Sequence, residues 1–287
     1  MKKHIPILLL IILLVCWGLF FNQVSTQFIF SPTSYAQPTL PQLKEVSIPV
    51  QFGHALNGLY LAPKAGKPVI LFFHGKSLNV SFFQDFAQQY AKYGYGVLLF
   101  DYRGYGKTKG TPTEKNMYED GESALRYLLI NKDVSARDII LWGFSLGCAV
   151  ALETVQKHPD VNFRAVVLQS PFTNTPQMAY YILMRRYHPD YFGLKLTSAI
   201  LRPALANKSF DNTRKIGSVR APLLIGMSHA DRTVPWRMSY HLAQMAPQHA
   251  QVFSSPAGTH NDMRWLEQEA VRFLQQQDER AQQIEKN

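Results

Sequence analysis

The residues best suited to chemistry are a serine, an aspartate and a histidine in three separate loops. Trp142-Gly143-Phe144-Ser145-Leu146-Gly147 contains G-x-S-x-G between an apolar run and a helix-like segment. The glycines permit a tight turn that lifts the serine side chain above a sheet. A serine hydroxyl needs a base, and the base needs an acid to orient it. Asp231 stands in Ser228-His229-Ala230-Asp231-Arg232-Thr233-Val234-Pro235, and His260 in Gly258-Thr259-His260-Asn261-Asp262. The order Ser145, Asp231, His260 is the one this strand–turn–helix nucleophile uses. Phe73-His74-Gly75-Lys76-Ser77 adds backbone donors. The N–H of Lys76 and that of Leu146, directly after the serine, are the expected oxyanion donors. Together these residues predict attack on a carbonyl carbon and a covalent acyl intermediate.

Each assignment competes with a plainer one. Ser145 and Asp231 could only cap the helices that follow them. Asp262 is a poorer acid than Asp231, being two residues from the histidine, and His229 is too close to Asp231 to reach across to Ser145. His74 reads as structural, packed beneath its loop. Asp101 and Arg103, in Asp101-Tyr102-Arg103-Gly104-Tyr105-Gly106, read as an ion pair holding a turn.

Positioning these loops requires a sheet. Val69–Phe73, Gly96–Phe100, Asp138–Trp142, Arg164–Leu168 and Pro222–Gly226 are short apolar runs, as expected of strands buried on both faces, and Gln251–Ser254 is a sixth. Helical stretches fall between them, at Val80–Tyr93, Glu114–Ile130, Leu146–Lys157 and Trp236–Met245. Lys44–Phe52 and Leu56–Ala62 precede them as a hairpin, and a last helix begins near Asp262. Alternation of this kind predicts an α/β fold with a mostly parallel central sheet flanked by helices. Active sites in such sheets lie at the carboxyl ends of the strands, where the serine, aspartate and histidine loops fall.

The 287 residues are 46% hydrophobic and 17% charged, with two cysteines. That composition excludes a disordered chain and a disulfide scaffold. Lys2 and Lys3 precede an uncharged apolar run from Ile5 to Phe21, read as an uncleaved signal-anchor over residues 1–22. The lysines stay cytoplasmic and the catalytic domain lies on the other side of the membrane. Cleavage and secretion is the alternative, with Ser34-Tyr35-Ala36 as a late cleavage site. Residues 23–44, with Pro32, Pro38 and Pro41, read as a linker, 45–277 as the domain and 278–287 as a polar tail. The formal charge is +10, and residues 173–220 alone hold eight Lys and Arg against two Asp and Glu. This stretch lies between the fourth and fifth buried strands, where a helical cap is expected. Its charge is either a solvated surface or a lid that meets anionic lipid. A slot for an acyl chain, lined by Tyr180, Tyr181 and Met184, would fit the second reading. Nucleic acid is excluded as a partner by the charge's place in a cap and by the domain's orientation. No metal-ligand spacing and no G-x-G-x-x-G signal occurs, so no cofactor is expected.

The motifs resemble those of the α/β-hydrolase superfamily, and within it the membrane-anchored Bem-type serine hydrolases, relatives of the abhydrolase-domain proteins. Asp101–Gly106, Gly143–Gly147, Asp231–Pro235 and Gly258–Asp262 carry the resemblance, and Gln27–Thr33 resembles the aromatic–proline stretch after their anchors. Lys76 replaces the asparagine of the usual H-G-N, Phe144 a polar residue and Cys148 a glycine. The resemblance implies ester or thioester hydrolysis on an acyl substrate, small or lipid. Relatives also include lysophospholipases, depalmitoylating enzymes and peptidases, and fold does not choose among them. A serine peptidase is therefore the first alternative, and a non-catalytic membrane-anchored binding protein the second.

Overall fold

The computed structural model describes residues 26–34, 37–50, 53–187, 205 and 208–286. The anchor read at residues 1–22 lies outside them, as do residues 188–204, 206 and 207 of the cap. Among the described residues no helix is long and apolar enough to cross a membrane.

The apolar runs form the sheet. Strands β1 to β10 are Ser31–Pro32, Lys44–Pro49, Ala55–Leu61, Val69–Phe73, Ser77–Leu78, Gly96–Phe100, Ile139–Phe144, Ala165–Gln169, Leu223–Ser228 and Gln251–Ser255. Eight of them build one sheet in the order β10-β9-β8-β7-β4-β6-β3-β2. All its pairings are parallel except those of β3 with β2 and with β6. Every residue of β4, β6, β7, β8 and β9 is buried, which is why these strands read as continuous apolar runs rather than alternating ones. At the edge, β10 alternates between half-buried and exposed positions until its last residue.

Helices α1 (Gln84–Ala91), α2 (Glu114–Arg126), α3 (Gly147–Lys157), α4 (Thr175–Tyr187), α5 (Trp236–Met245) and α6 (Glu267–Lys286) accompany the sheet. Local chemistry sets their starts. The Thr113 hydroxyl accepts the Asn116 N–H at 3.0 Å, capping α2. The Asn79 side chain accepts the Ser81 N–H at 3.0 Å and begins a short 3-10 turn, so α1 opens four residues later than the apolar pattern suggests.

Register aligns the loops that matter. Phe73 at the end of β4 pairs with Gly143, and Phe144 with Gln169, so the His74–Lys76 loop leaves the sheet beside Ser145. Ser228 pairs with Ser255, so the Asp231 and His260 loops leave the same end.

Three expectations change. The linker is packed onto the domain: Ile29 and Phe30 are buried, and β1 pairs with β5. Their side chains are apolar, and the sheet offered a place to bury them. The polar tail is tied to the domain through its first residue, on the α6 helix that runs to Lys286. Its Asp278 accepts from the buried Tyr95 hydroxyl at 3.0 Å and from Lys67 Nζ at 2.9 Å. Asp278→Ala should lower unfolding free energy by about 1–3 kcal/mol in a urea melt, because it strands the Tyr95 hydroxyl. Finally, Arg103 pairs with Asp120 at 2.6 Å and Glu119 at 2.8 Å, and not with Asp101. Asp101 instead accepts the Val80 N–H at 2.8 Å and the Asn57 amide at 3.2 Å. The turn is held as expected, with different partners.

The basic excess is not one free surface. Lys215 is buried, bonded to Glu153 at 2.5 Å and to the Tyr118 hydroxyl at 2.8 Å, and Lys208 bonds the Thr26 hydroxyl at 2.7 Å. Arg185 donates to the Arg232 carbonyl, fastening α4 to the loop that holds Asp231.

Candidate active site

Ser145 follows β7 and precedes α3 with φ +54°, in the left-handed region that side chains rarely adopt. Its flanking glycines are obligatory. A Cβ on Gly147 would lie 1.9 Å from the Phe73 carbonyl oxygen, and one on Gly143 would lie 2.5 Å from Cys148 Cα. The Ser145 N–H donates to the Gln169 carbonyl at 2.9 Å, and the Cys148 N–H to the Ser145 carbonyl at 3.1 Å. The turn is thereby held with the hydroxyl aimed away from the sheet.

The three residues read as a relay are in hydrogen-bond contact. His260 Nδ1 lies 2.7 Å from Asp231 Oδ2, and His260 Nε2 lies 3.1 Å from Ser145 Oγ. An ionised carboxylate only accepts, so Nδ1 carries the ring proton and Nε2 is left to accept from the serine. Asp231 Oδ1 accepts the N–H groups of Thr233 at 2.8 Å and Val234 at 2.9 Å. Burial alone would raise the Asp231 carboxyl. The His260 hydrogen bond and charge, helped by those two amides, outweigh it and hold the carboxyl below its ordinary value. All three side chains are almost wholly buried.

Lys76 and Leu146 line the same cavity as Ser145 and His260. Among the described residues neither of their N–H groups has an acceptor. The Gly75 carbonyl, on the peptide that ends in the Lys76 N–H, is bonded by His74 Nδ1 at 2.8 Å. His74 is fully buried against Tyr102, Tyr105 and Phe83, and burial lowers its pKa to about 4. It is a neutral support for the loop. Burial also pushes the Lys76 ammonium down.

The cavity holds about 950 Å³. Its walls are largely apolar, with Phe83, Phe86, Phe144 and Phe172 among them, and Asp85, Gln89, Asp262 and Arg264 supply polar groups. On the cap helix the lining residues are Thr175, Met178 and Ile182. Tyr180, Tyr181 and Met184 do not line it, and Tyr180 is exposed. The reason is helical phase: positions i, i+3 and i+7 share one face, and the three expected residues sit off that stripe. Phe28 and Ile29, placed in the linker by the sequence, form another part of the wall.

The alternatives settle elsewhere. His229 stacks on Trp236 and bonds the Ser254 hydroxyl, and Asp262 pairs with Arg264. Cys148 is buried, its thiol donating to the Gly143 carbonyl. Among the described residues no group of three or more His, Cys, Asp or Glu could hold a metal ion.

Residues 64–190 match a family model described as serine aminopeptidase, S33. A protein of Mycobacterium tuberculosis is 30% identical over 238 residues, 82% of this chain and 79% of its own. YfhR of Escherichia coli K12 is 26% identical over 269 residues, 91% of this chain and 89% of its own. The lysophosphatidylserine lipase ABHD12 of Danio rerio is 31% identical over 196 residues, 64% of this chain but only 49% of that longer protein. Among solved structures, a Pyrococcus furiosus esterase superposes with a TM-score of 0.67 at 18% identity, covering 86% of this chain and 97% of its own. An alpha-beta hydrolase of Vibrio vulnificus does so with 0.67 at 21% identity, covering 82% and 81%. The similarity to these two structures is one of fold.

Proposed function

The chain belongs to the α/β-hydrolase superfamily, and from that premise we propose that it is a serine hydrolase of carboxylic ester or thioester bonds. One observation carries the reading: Asp231, His260 and Ser145 are joined in a single hydrogen-bonded line at the wall of an apolar cavity. As Ser145 Oγ attacks the acyl carbon, its proton passes to His260 Nε2. Asp231 stabilises the imidazolium, and the N–H groups of Lys76 and Leu146 hold the oxyanion. His260 then protonates the leaving alcohol or thiol, giving an acyl-Ser145 ester. Water attacks that ester with His260 again as base, which releases the acid and restores the serine.

The apolar walls favour an acyl chain as the group bound, and the name of the Danio rerio relative is in keeping with a lipid ester. The proposal includes tethering by the N-terminal segment, with the hydrolase domain on the non-cytoplasmic side. Peptide cleavage is the second reading, favoured by the description of the matching family model.

A fluorophosphonate probe with peptide mapping tests the nucleophile: the adduct is expected on Ser145. A series of nitrophenyl esters tests the cavity, with activity rising toward longer acyl chains. Ile182→Trp should shift that optimum to shorter chains and lower kcat/KM for the longest ester at least tenfold. Faster turnover of aminoacyl-coumarins than of any ester would transfer the assignment to the peptidase reading. An unchanged chain-length optimum in Ile182→Trp would remove α4 from the acyl site.

A further inference from the structure

The stretch just after the apolar N-terminal run is built into the active-site loop. Phe28 and Ile29 line the cavity. Phe30 is buried and meets Phe210 edge-on, with ring centroids 6.0 Å apart. The Ser31 N–H donates to the Lys76 carbonyl at 2.9 Å, and the Tyr105 hydroxyl donates to the same oxygen at 2.7 Å. Lys76 Nζ returns a bond to the Phe28 carbonyl at 3.2 Å and lies 5.5 Å from the centre of the Phe28 ring. Further on, the Asn79 amide donates to the carbonyls of Thr33 at 3.2 Å and Ser34 at 2.9 Å, and the Gly106 N–H donates to Thr33 at 3.2 Å.

These bonds act on the two peptide planes that meet at Lys76. His74 holds the first through the Gly75 carbonyl, and that plane carries the Lys76 N–H. Ser31 and Tyr105 hold the second through the Lys76 carbonyl, using both of its lone pairs. With both planes fixed, the Lys76 N–H keeps one direction. A donor that stabilises an oxyanion must be aimed before charge develops, because reorientation during the reaction would cost part of the benefit.

We propose that residues 28–34 are a positioning segment of the active site, which aims the Lys76 N–H and closes one wall of the substrate cavity. The apolar run ends at Phe21, only five residues before Thr26. The segment that aims the oxyanion donor is therefore the one that follows the apolar run in sequence. This rests on the serine-hydrolase reading given above.

The test compares Ser31→Pro with Ser31→Ala in the full chain, purified in detergent. Proline has no N–H to give Lys76, whereas alanine keeps it. Ser31→Ala should lose much less than Ser31→Pro. Ser31→Pro should lose about 10- to 100-fold in kcat with KM changed less than threefold, short of the 10²–10³ lost with a whole oxyanion donor. Its affinity for a trifluoromethyl ketone, whose adduct places an oxyanion at this site, should fall in parallel while fatty-acid product binding stays the same. Tyr105→Phe removes the other donor and should lose several-fold by both measures, which decides the matter if Ser31→Pro does not fold. A folded Ser31→Pro or Tyr105→Phe with unaltered kcat and ketone affinity would overturn the proposal. So would equal losses in Ser31→Ala and Ser31→Pro. Failure of the underlying reading would look different: the unaltered chain itself would hydrolyse no acyl substrate and form no Ser145 adduct.

Discussion

Replacing Ser145 with alanine should lower kcat on an ester by about 10⁶-fold, the scale seen when a triad nucleophile is removed. Among the described residues His260 Nε2 bonds no other hydroxyl or thiol. The thiol of Cys148, the only cysteine among the described residues, is buried and points to the Gly143 and Gln169 carbonyls, and burial raises its pKa well above normal. Fluorophosphonate labelling should vanish with activity, while product binding persists because the cavity walls are untouched. Stability gives a second measurement. Ser145 holds φ +54°, a conformation that costs a side-chain-bearing residue about 1–2 kcal/mol and glycine almost nothing. Alanine keeps that strain and glycine relieves it. Glycine gives part of the gain back, because it loses about 0.5–1 kcal/mol more chain entropy on folding. Ser145→Gly should therefore be as inactive as Ser145→Ala yet melt higher, by the equivalent of roughly 1 kcal/mol. Equal melting points would mean that the turn carries no strain, and retained activity in either variant would remove Ser145 as the nucleophile.

The sheet could be read in advance because a strand buried on both faces leaves an unbroken apolar run. Val69–Phe73 and Gly96–Phe100 are found over the ranges their side chains mark. The relay was legible for a related reason. Its three residues sit just past the ends of β7, β9 and β10, parallel strands of one sheet, so the strand that each follows already placed it at the same end. Register supplied the remainder, through pairs such as Phe144 with Gln169 and Ser228 with Ser255. The cavity wall was less legible. Thr175, Met178 and Ile182 share a helical stripe that spacing could have shown, but the conspicuous tyrosines drew attention to the wrong phase. Phe28 and Ile29 gave no local signal at all. Their place depends on a two-residue strand pairing across 46 positions, Ser31 with Ser77, which no periodicity announces. The net charge misled in the same way. Lys208 and Lys215 are counted in the basic stretch, yet each is bonded within the protein.

Asp231→Asn should lower kcat by about 10⁴-fold while leaving the fold intact. The argument turns on which way the new amide faces. Asp231 Oδ1 accepts two backbone N–H groups, from Thr233 and Val234, and an NH₂ group cannot accept either. The asparagine carbonyl must therefore stay on that side, and its NH₂ turns toward His260 Nδ1. A donor there requires Nδ1 to be the unprotonated nitrogen, which moves the ring proton to Nε2. An Nε2–H facing Ser145 cannot accept the hydroxyl proton, so the base is lost although every atom is near its former place. Fluorophosphonate labelling should slow in step with ester hydrolysis. Asp160→Asn is the control, since Asp160 is exposed, lies outside the cavity lining and among the described residues pairs only with Arg220 at 3.9 Å, and it should stay within twofold. The pH dependence of stability separates charge from geometry. Because the Asp231 carboxyl is held below its unfolded value of about 3.9, it stabilises the folded state fully above that pH and loses this contribution as pH falls through its own lower value. The stability difference between the unaltered chain and Asp231→Asn should therefore be constant at neutral pH and shrink only below about pH 4. A variant within tenfold of full activity, or a difference that disappears already near pH 6, would mean that Asp231 does not set the state of His260.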